Sequence, residues 1–187
     1  MALDGDLAVG RAKAKILSEL IMNLSQKLAA MGLAAAAAFG GATLVIPHEG
    51  QVLGTYVDPV GILTSCYGHT GPELKPNQAF TEQQCLETLA DDLSMFDRQL
   101  RRLTHPVELT QGEHAAYLSF IYNVGAGAFR TSTLRKKLLA ADRVGACNEL
   151  PRWVYAKGQK LPGLIKRRNA ELKVCLKEIA NVATTDF

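Results

Sequence analysis

At 187 residues with a net charge of +3, the chain has the length of one compact domain, or of one domain carrying an N-terminal appendage. The charge is mild and spread out: ahead of Glu49, Arg11, Lys13, Lys15 and Lys27 stand against Asp4, Asp6 and Glu19. That argues against a nucleic-acid module, which needs a concentrated basic face, and roughly 140 residues bury enough core to stand as a monomer.

Residues 1–27 are polar and mixed, with Ile16, Leu17, Leu20, Ile21 and Leu24 recurring at helical spacing. From Leu28 to Ile46 the character changes: 19 residues without a charge, closed by Pro47. At about 1.5 Å per residue that length nearly matches a hydrocarbon core of roughly 30 Å. Eight of the 19 are Ala and three are Gly, so little apolar area is on offer and insertion into a bilayer is marginal. A buried core helix, a cleaved signal peptide and a weak, reversible membrane anchor are the competing readings. The signal peptide fits worst, because its charged lead is long and Glu49 follows at once.

Gln51 to Thr70 mixes Tyr56, Val57, Val60, Ile62, Leu63 and Tyr67 with Gly54, Pro59, Gly61 and Gly68, which predicts a small antiparallel sheet or hairpin. Gly71 to Phe80 is expected to be a loop. From Thr81 helices take over. Thr81 with Gln84 forms a capping box ahead of Leu86, Leu89, Leu93, Phe96, Leu100 and Leu103, and Pro106 marks the end. Thr110 with Glu113 repeats the box, Gly125 and Gly127 break the run it opens, and Ser132 or Thr133 starts the next helix. The remainder reads as helical around a loop at Lys157 to Pro162. The whole is a small β element on a mainly helical body.

Four cysteines, Cys66, Cys85, Cys147 and Cys175, allow either buried free thiols in a reducing compartment or two disulfides of any pairing. Cys66 and His69 are close in sequence, but without a second close pair zinc is poorly supported. His48, His105 and His114 are expected at the surface, Trp153 in the core. Arg167, Arg168 and Glu171, at spacings of three and four, are expected to pair on a helix surface, a role as receptor for an anionic peptide being the sharper alternative.

Glu49 ends the apolar segment, and Asp58 and Thr64 follow across a stretch rich in turn formers. Cleavage of a glycosidic bond needs one carboxylic acid to protonate the leaving oxygen and a second carboxylate to activate water or stabilise the developing positive sugar. A carboxyl at the end of an apolar helix is partly desolvated, which favours the protonated form a general acid requires.

The run His48-Glu49-Gly50, then Asp58, Thr64 and Tyr67-Gly68-His69-Thr70-Gly71, resembles the phage-type lysozymes, family 24 of the glycoside hydrolases. Phe120 to Gly127, Ser132-Thr133-Leu134, Arg152-Trp153 and Gly163 to Glu171 resemble later segments of the same family, so the resemblance covers about residues 47–178. It implies an α+β, mainly helical, two-lobed fold with a small antiparallel β lobe and a larger helical lobe. It further implies hydrolysis of the β-1,4 bond between N-acetylmuramic acid and N-acetylglucosamine in peptidoglycan, without metal or organic cofactor. Glu49 would be the general acid, Asp58 the residue directing water and Thr64 the one positioning it. Tyr122, Asn123, Ser132 and Thr133 would contact sugar, and His69 would form a structural charge pair with Asp92. The family layout implies Cys66 with Cys85 and Cys147 with Cys175.

The chain ahead of Glu49 resembles the signal-anchor-release endolysins of phages, which implies a releasable anchor (28–46) before a catalytic domain (47–187); the N-terminal extension (1–27) departs from the resemblance, since such anchors normally lack it. The partners would be the host inner membrane and then, in the periplasm, the glycan. A prophage-derived or secreted bacterial muramidase, an inactive glycan-binding domain and a membrane-anchored structural protein are the alternatives. The intact Glu49, Asp58 and Thr64 set speaks against the inactive domain.

Overall fold

The computed structural model describes residues 40–58 and 61–182, with the isolated pairs 18–19, 22–23 and 26–27. The remainder of the 1–27 extension and residues 28–39 of the expected anchor lie outside the described residues. Within them, Lys27 Nζ pairs with Glu87 at 3.1 Å.

A π-helical turn, Gly41–Val45, runs directly into α1 (Ile46–Glu49), so the helical path crosses the expected boundary at 46/47 without a break. Pro47, which follows the uncharged stretch in sequence, sits within this path in the first turn of α1. Leu44, Val45 and Ile46 are buried. At Gly40 a Cβ would lie 2.9 Å from the Ala115 backbone, so only glycine allows this close approach to the central helix.

Gly50 (φ 70) turns the chain into β1 (Val52–Val57), which pairs antiparallel with β2 (Leu63–Cys66), placing Tyr56 opposite Thr64. The 71–80 stretch is tied to the hairpin: Phe80 N–H donates to Leu53 O (3.0 Å) and Thr55 N–H to Gln78 O (3.0 Å). These pieces form the β lobe.

The helical lobe begins with α2 (Glu82–Thr104) and α3 (Gln111–Thr131), each opened by the expected capping box, at Thr81/Gln84 and Thr110/Glu113. On α2 Leu86, Leu89, Leu93 and Leu100 are buried on the predicted face, and the helix ends just short of Pro106. Helix α3 is the centre of the lobe, buried on every side from Gly112 to Ile121, with a kink at Gly125 (φ 82). A Cβ at Gly112 would fall 2.4 Å from Val174 O, so this glycine sets the contact between α3 and the last helix. Then come α4 (Thr133–Leu139), α5 (Arg143–Cys147), a 3₁₀ turn (Leu150–Arg152) and α6 (Pro162–Val182). Part of the expected loop at 157–162 is instead a two-stranded hairpin, β3 (Tyr155–Ala156) with β4 (Gln159–Lys160).

Two disulfides staple the lobes: Cys66–Cys85 joins β2 to α2, and Cys147–Cys175 joins α5 to α6. With sequence separations of 19 and 28, loop closure in the unfolded chain contributes about 3 to 4 kcal/mol for each.

Candidate active site

Glu49 occupies the last position of α1 at the mouth between the lobes. Its Oε1 accepts from Arg167 Nη1 on α6, and its Oε2 faces the β lobe, where a Cβ at Gly68 (φ 86) would lie 3.0 Å away. A side chain at position 68 would therefore crowd the acid as well as strain the backbone.

Arg167, Arg168 and Glu171 correct the expectation of a surface pair: they are 3%, 0% and 0% exposed. Arg167 Nε donates to Glu171 Oε1 (3.2 Å) and its Nη2 to Ser119 O (3.0 Å), while Ser119 Oγ donates to the same Glu171 oxygen at 2.7 Å. Arg168 donates to the other oxygen of Glu171 and to Asn123 Oδ1, and its guanidinium stacks 4.8 Å from the Phe120 ring centre. Two guanidiniums and two carboxylates thus interlock inside the fold. Burial pushes the Glu171 carboxyl up, against the opposing pull of both arginines. His48 is pulled down, first by burial and then by Arg167, and stays neutral at neutral pH. It is half-buried, not the exposed neighbour expected.

Asp58 directly follows β1, in a tight turn. Its Oδ1 accepts Ile62 N–H (2.8 Å), and its own N–H donates to Ile62 O (2.9 Å). Thr64 is buried on β2, its hydroxyl donating to Ile62 O at 3.0 Å, which leaves an oxygen lone pair able to accept from water. Tyr56 lies opposite Thr64 in the sheet, and its hydroxyl is pushed up by burial and then by the charges of Glu49 and Asp58.

The expected sugar contacts divide. Asn123 shares with Glu49 a cavity of about 590 Å³, lined also by His48, Pro162 and Arg167. Thr133 is exposed on α4. Tyr122 is largely enclosed, and its hydroxyl donates across the lobes to Tyr67 O at 2.8 Å. Ser132 is buried, against the groove-wall role expected of it, and caps α4 by accepting Arg135 N–H (3.1 Å) while donating to Phe129 O (2.7 Å).

His69 meets Asp92 through Nδ1 (2.9 Å) and Glu73 through Nε2 (2.5 Å). The Asp92 hydrogen bond, opposed by burial and helped by Glu73, lifts His69 to about 9. His114 is a further correction, buried against Asp97 between α2 and α3. Burial opposes ionisation of Asp97, but the hydrogen bonds from His114 and Arg101 outweigh it and hold the carboxyl below its ordinary range. Trp153 packs edge-on against Phe120 (centroids 5.1 Å). Among the described residues no group of His, Cys, Asp and Glu has the arrangement of a metal site.

Sequence reasoning gave Arg167, Gly68 and Tyr56 no place beside Glu49, although Gly68 stood in the motif with His69 and Tyr56 two residues before Asp58.

The two-lobed fold, the acid between the lobes and the hairpin carboxylate define a lysozyme-type glycosidase. The family model for phage lysozyme matches residues 47–171, and the chain belongs to that family. It is a glycoside hydrolase, a muramidase whose substrate is peptidoglycan. Within the family it is similar to the SAR-endolysin of Bacteriophage PS119, 45% identical over 128 residues, which cover 68% of this chain and 76% of that protein. It is 38% identical to the SAR-endolysin of Enterobacteria phage P21, over 76% of this chain and 93% of that one. Among solved structures, the endolysin of Escherichia coli O157:H7 phage FAHEc1 matches with TM-score 0.64 and 30% identity, covering 74% of this chain and 92% of that one. The active form of P1 phage endolysin Lyz shares the fold at TM-score 0.75 and 23% identity, covering 86% of this chain and 96% of that one.

Proposed function

We propose that the chain is a phage endolysin in which Glu49 protonates the oxygen of the bond between N-acetylmuramic acid and N-acetylglucosamine, while Asp58 directs water at the sugar. Arg167 engages Oε1 of Glu49, so the transferable proton belongs on Oε2, the oxygen toward the β lobe. The Asp58 carboxylate is oriented by the Ile62 N–H, which its Oδ1 accepts, and Thr64 accepts from the attacking water. Asn123, with Oδ1 taken by Arg168, retains an amide N–H₂ to donate to sugar in the shared cavity. The placement of Glu49 carries this reading: it ends α1 on the wall of a cavity, with Oε1 held by the buried Arg167 and Oε2 turned toward Gly68 of the β lobe. Glu49→Gln should lower turnover of peptidoglycan about 10²- to 10⁴-fold with sacculus binding retained; full lytic activity in that variant would refute it.

The uncharged segment 28–46 anchors the protein to the host inner membrane until release into the periplasm, where it acts as a monomer. Leu44, Val45 and Ile46 support this, because the same side chains cannot lie in lipid and in the core of the enzyme at once. Two disulfides suit an oxidising compartment, and the similar SAR-endolysins point the same way. Among the described residues no helix is long and apolar enough to cross a membrane. Fractionation of host cells before and after depolarisation tests the anchor: protein found only in the cytosol would end it.

A further inference from the structure

The seam between α2 and α3 carries a second groove, a cavity of about 390 Å³ lined by Gln99, Arg102 and Leu103 on one side and Ala126, Gly127 and Arg130 on the other. On α3 the groove begins at Ala126, shortly beyond Asn123, which lines the cavity that holds Glu49. Helix α3 leaves helical geometry at Gly125, and a Cβ at Gly127 would meet nothing within 4 Å, so the floor is open.

Its walls are cationic, and no carboxylate lines it. Arg101, Arg143, Arg152, Arg167 and Arg168 each pair with an acid. Among the described residues, the exposed Arg102 and Arg130 have no such partner. A third guanidinium, Arg135, is fixed beside them, donating to Leu103 O (2.7 Å) and Arg130 O (3.4 Å). The helix dipole accounts for a cation in each last turn. It does not account for two unpaired guanidiniums lining one groove, where like charges repel until an anion enters. Guanidiniums bind planar carboxylates in two-point contacts.

We propose that this groove is a subsite for the carboxylate-bearing peptide stems of the strand being cleaved, an inference that rests on the muramidase reading. A stem branches from the glycan and must leave the cleft sideways, and this groove offers it a charged exit. The role considered in sequence for Arg167 and Arg168, which are buried, thus passes to Arg102 and Arg130.

The test compares R102Q/R130Q with the unaltered protein on stem-bearing glycan strands and on strands stripped of stems by an amidase. K173Q/K177Q, two exposed lysines on α6, removes the same charge elsewhere. On stem-bearing strands R102Q/R130Q should raise KM about five- to tenfold with kcat kept, the effect of losing two exposed charge pairs. On stripped strands it should match the unaltered protein. Equal losses on both substrates, no loss on either, or the same loss from K173Q/K177Q would overturn the subsite while leaving the muramidase intact. An unaltered protein inert toward both kinds of strand would sink both.

Discussion

The two carboxylates of the site are held in opposite ways. Glu49 is gripped from the helical lobe by Arg167, which is itself locked to Glu171 and Ser119 in the interior. Asp58 is gripped by its own hairpin, through backbone contacts with Ile62 four residues away. One support is long-range, ionic and buried; the other is local and made of backbone. A buried ion pair is strongly destabilising to break, because removing one partner strands the other's charge, whereas a turn loses little when a carboxylate becomes an amide. The acid is thus coupled to the fold, and its partner is close to independent of it.

The sharpest separation should come from Asp58→Asn. Turnover of peptidoglycan should fall about 10²- to 10⁴-fold, with unfolding free energy by denaturant titration changed by less than about 1 kcal/mol. A large loss of stability would show that the hairpin carboxylate is structural after all. Next, Arg167→Met should lower stability by about 3 to 5 kcal/mol, since it leaves Glu171 facing Arg168 alone and Glu49 without its guanidinium. An unfolding curve superimposable on that of the unaltered protein would break the contrast.

Third, replacing Cys147 and Cys175 by Ser should cost about 3 kcal/mol of stability, or somewhat more, with the β-lobe disulfide untouched. The catalytic rate at a temperature where the protein stays folded should be preserved, which an activity assay below the unfolding transition reads directly. The smallest effect concerns His69, whose folded value of about 9 lies above its ordinary 6.5. A group raised on folding stabilises fully below the unfolded value and loses that contribution as pH rises through the folded one. Stability should therefore fall between about pH 6.5 and 9.5, by about 1 to 2 kcal/mol after solvent screening. His69→Asn should flatten this part of the profile; an unchanged slope would remove His69 as its source.

Much of the fold was legible because its signals are short-range. Thr81 and Thr110 cap helices whose third residues reciprocate, so both starts stood in the sequence with the leucine stripe of α2 behind them. Glu49, Asp58 and Thr64 were legible as a spaced set. Arg167 was not, since its partner Glu49 lies 118 positions away. For the same reason spacings of three and four suggested a surface pair, where Arg168 and Glu171 are fully buried. Periodicity tells which residues share a helix face, and says nothing of what covers that face. Ser132 illustrates the converse: a residue matched to a groove wall turned inward to serve as a cap.

By itself the sequence determined the caps, the turns, the apolar faces and the identity of the chemical groups, because each depends on neighbours within a few residues along the chain. Only the tertiary structure decided which charge meets Glu49, that Tyr56 feels both carboxylates, and that Arg102 and Arg130 share a groove. Those facts depend on how whole helices pack on one another, and the contacts that set the packing join residues too far apart in sequence for any local pattern to record them.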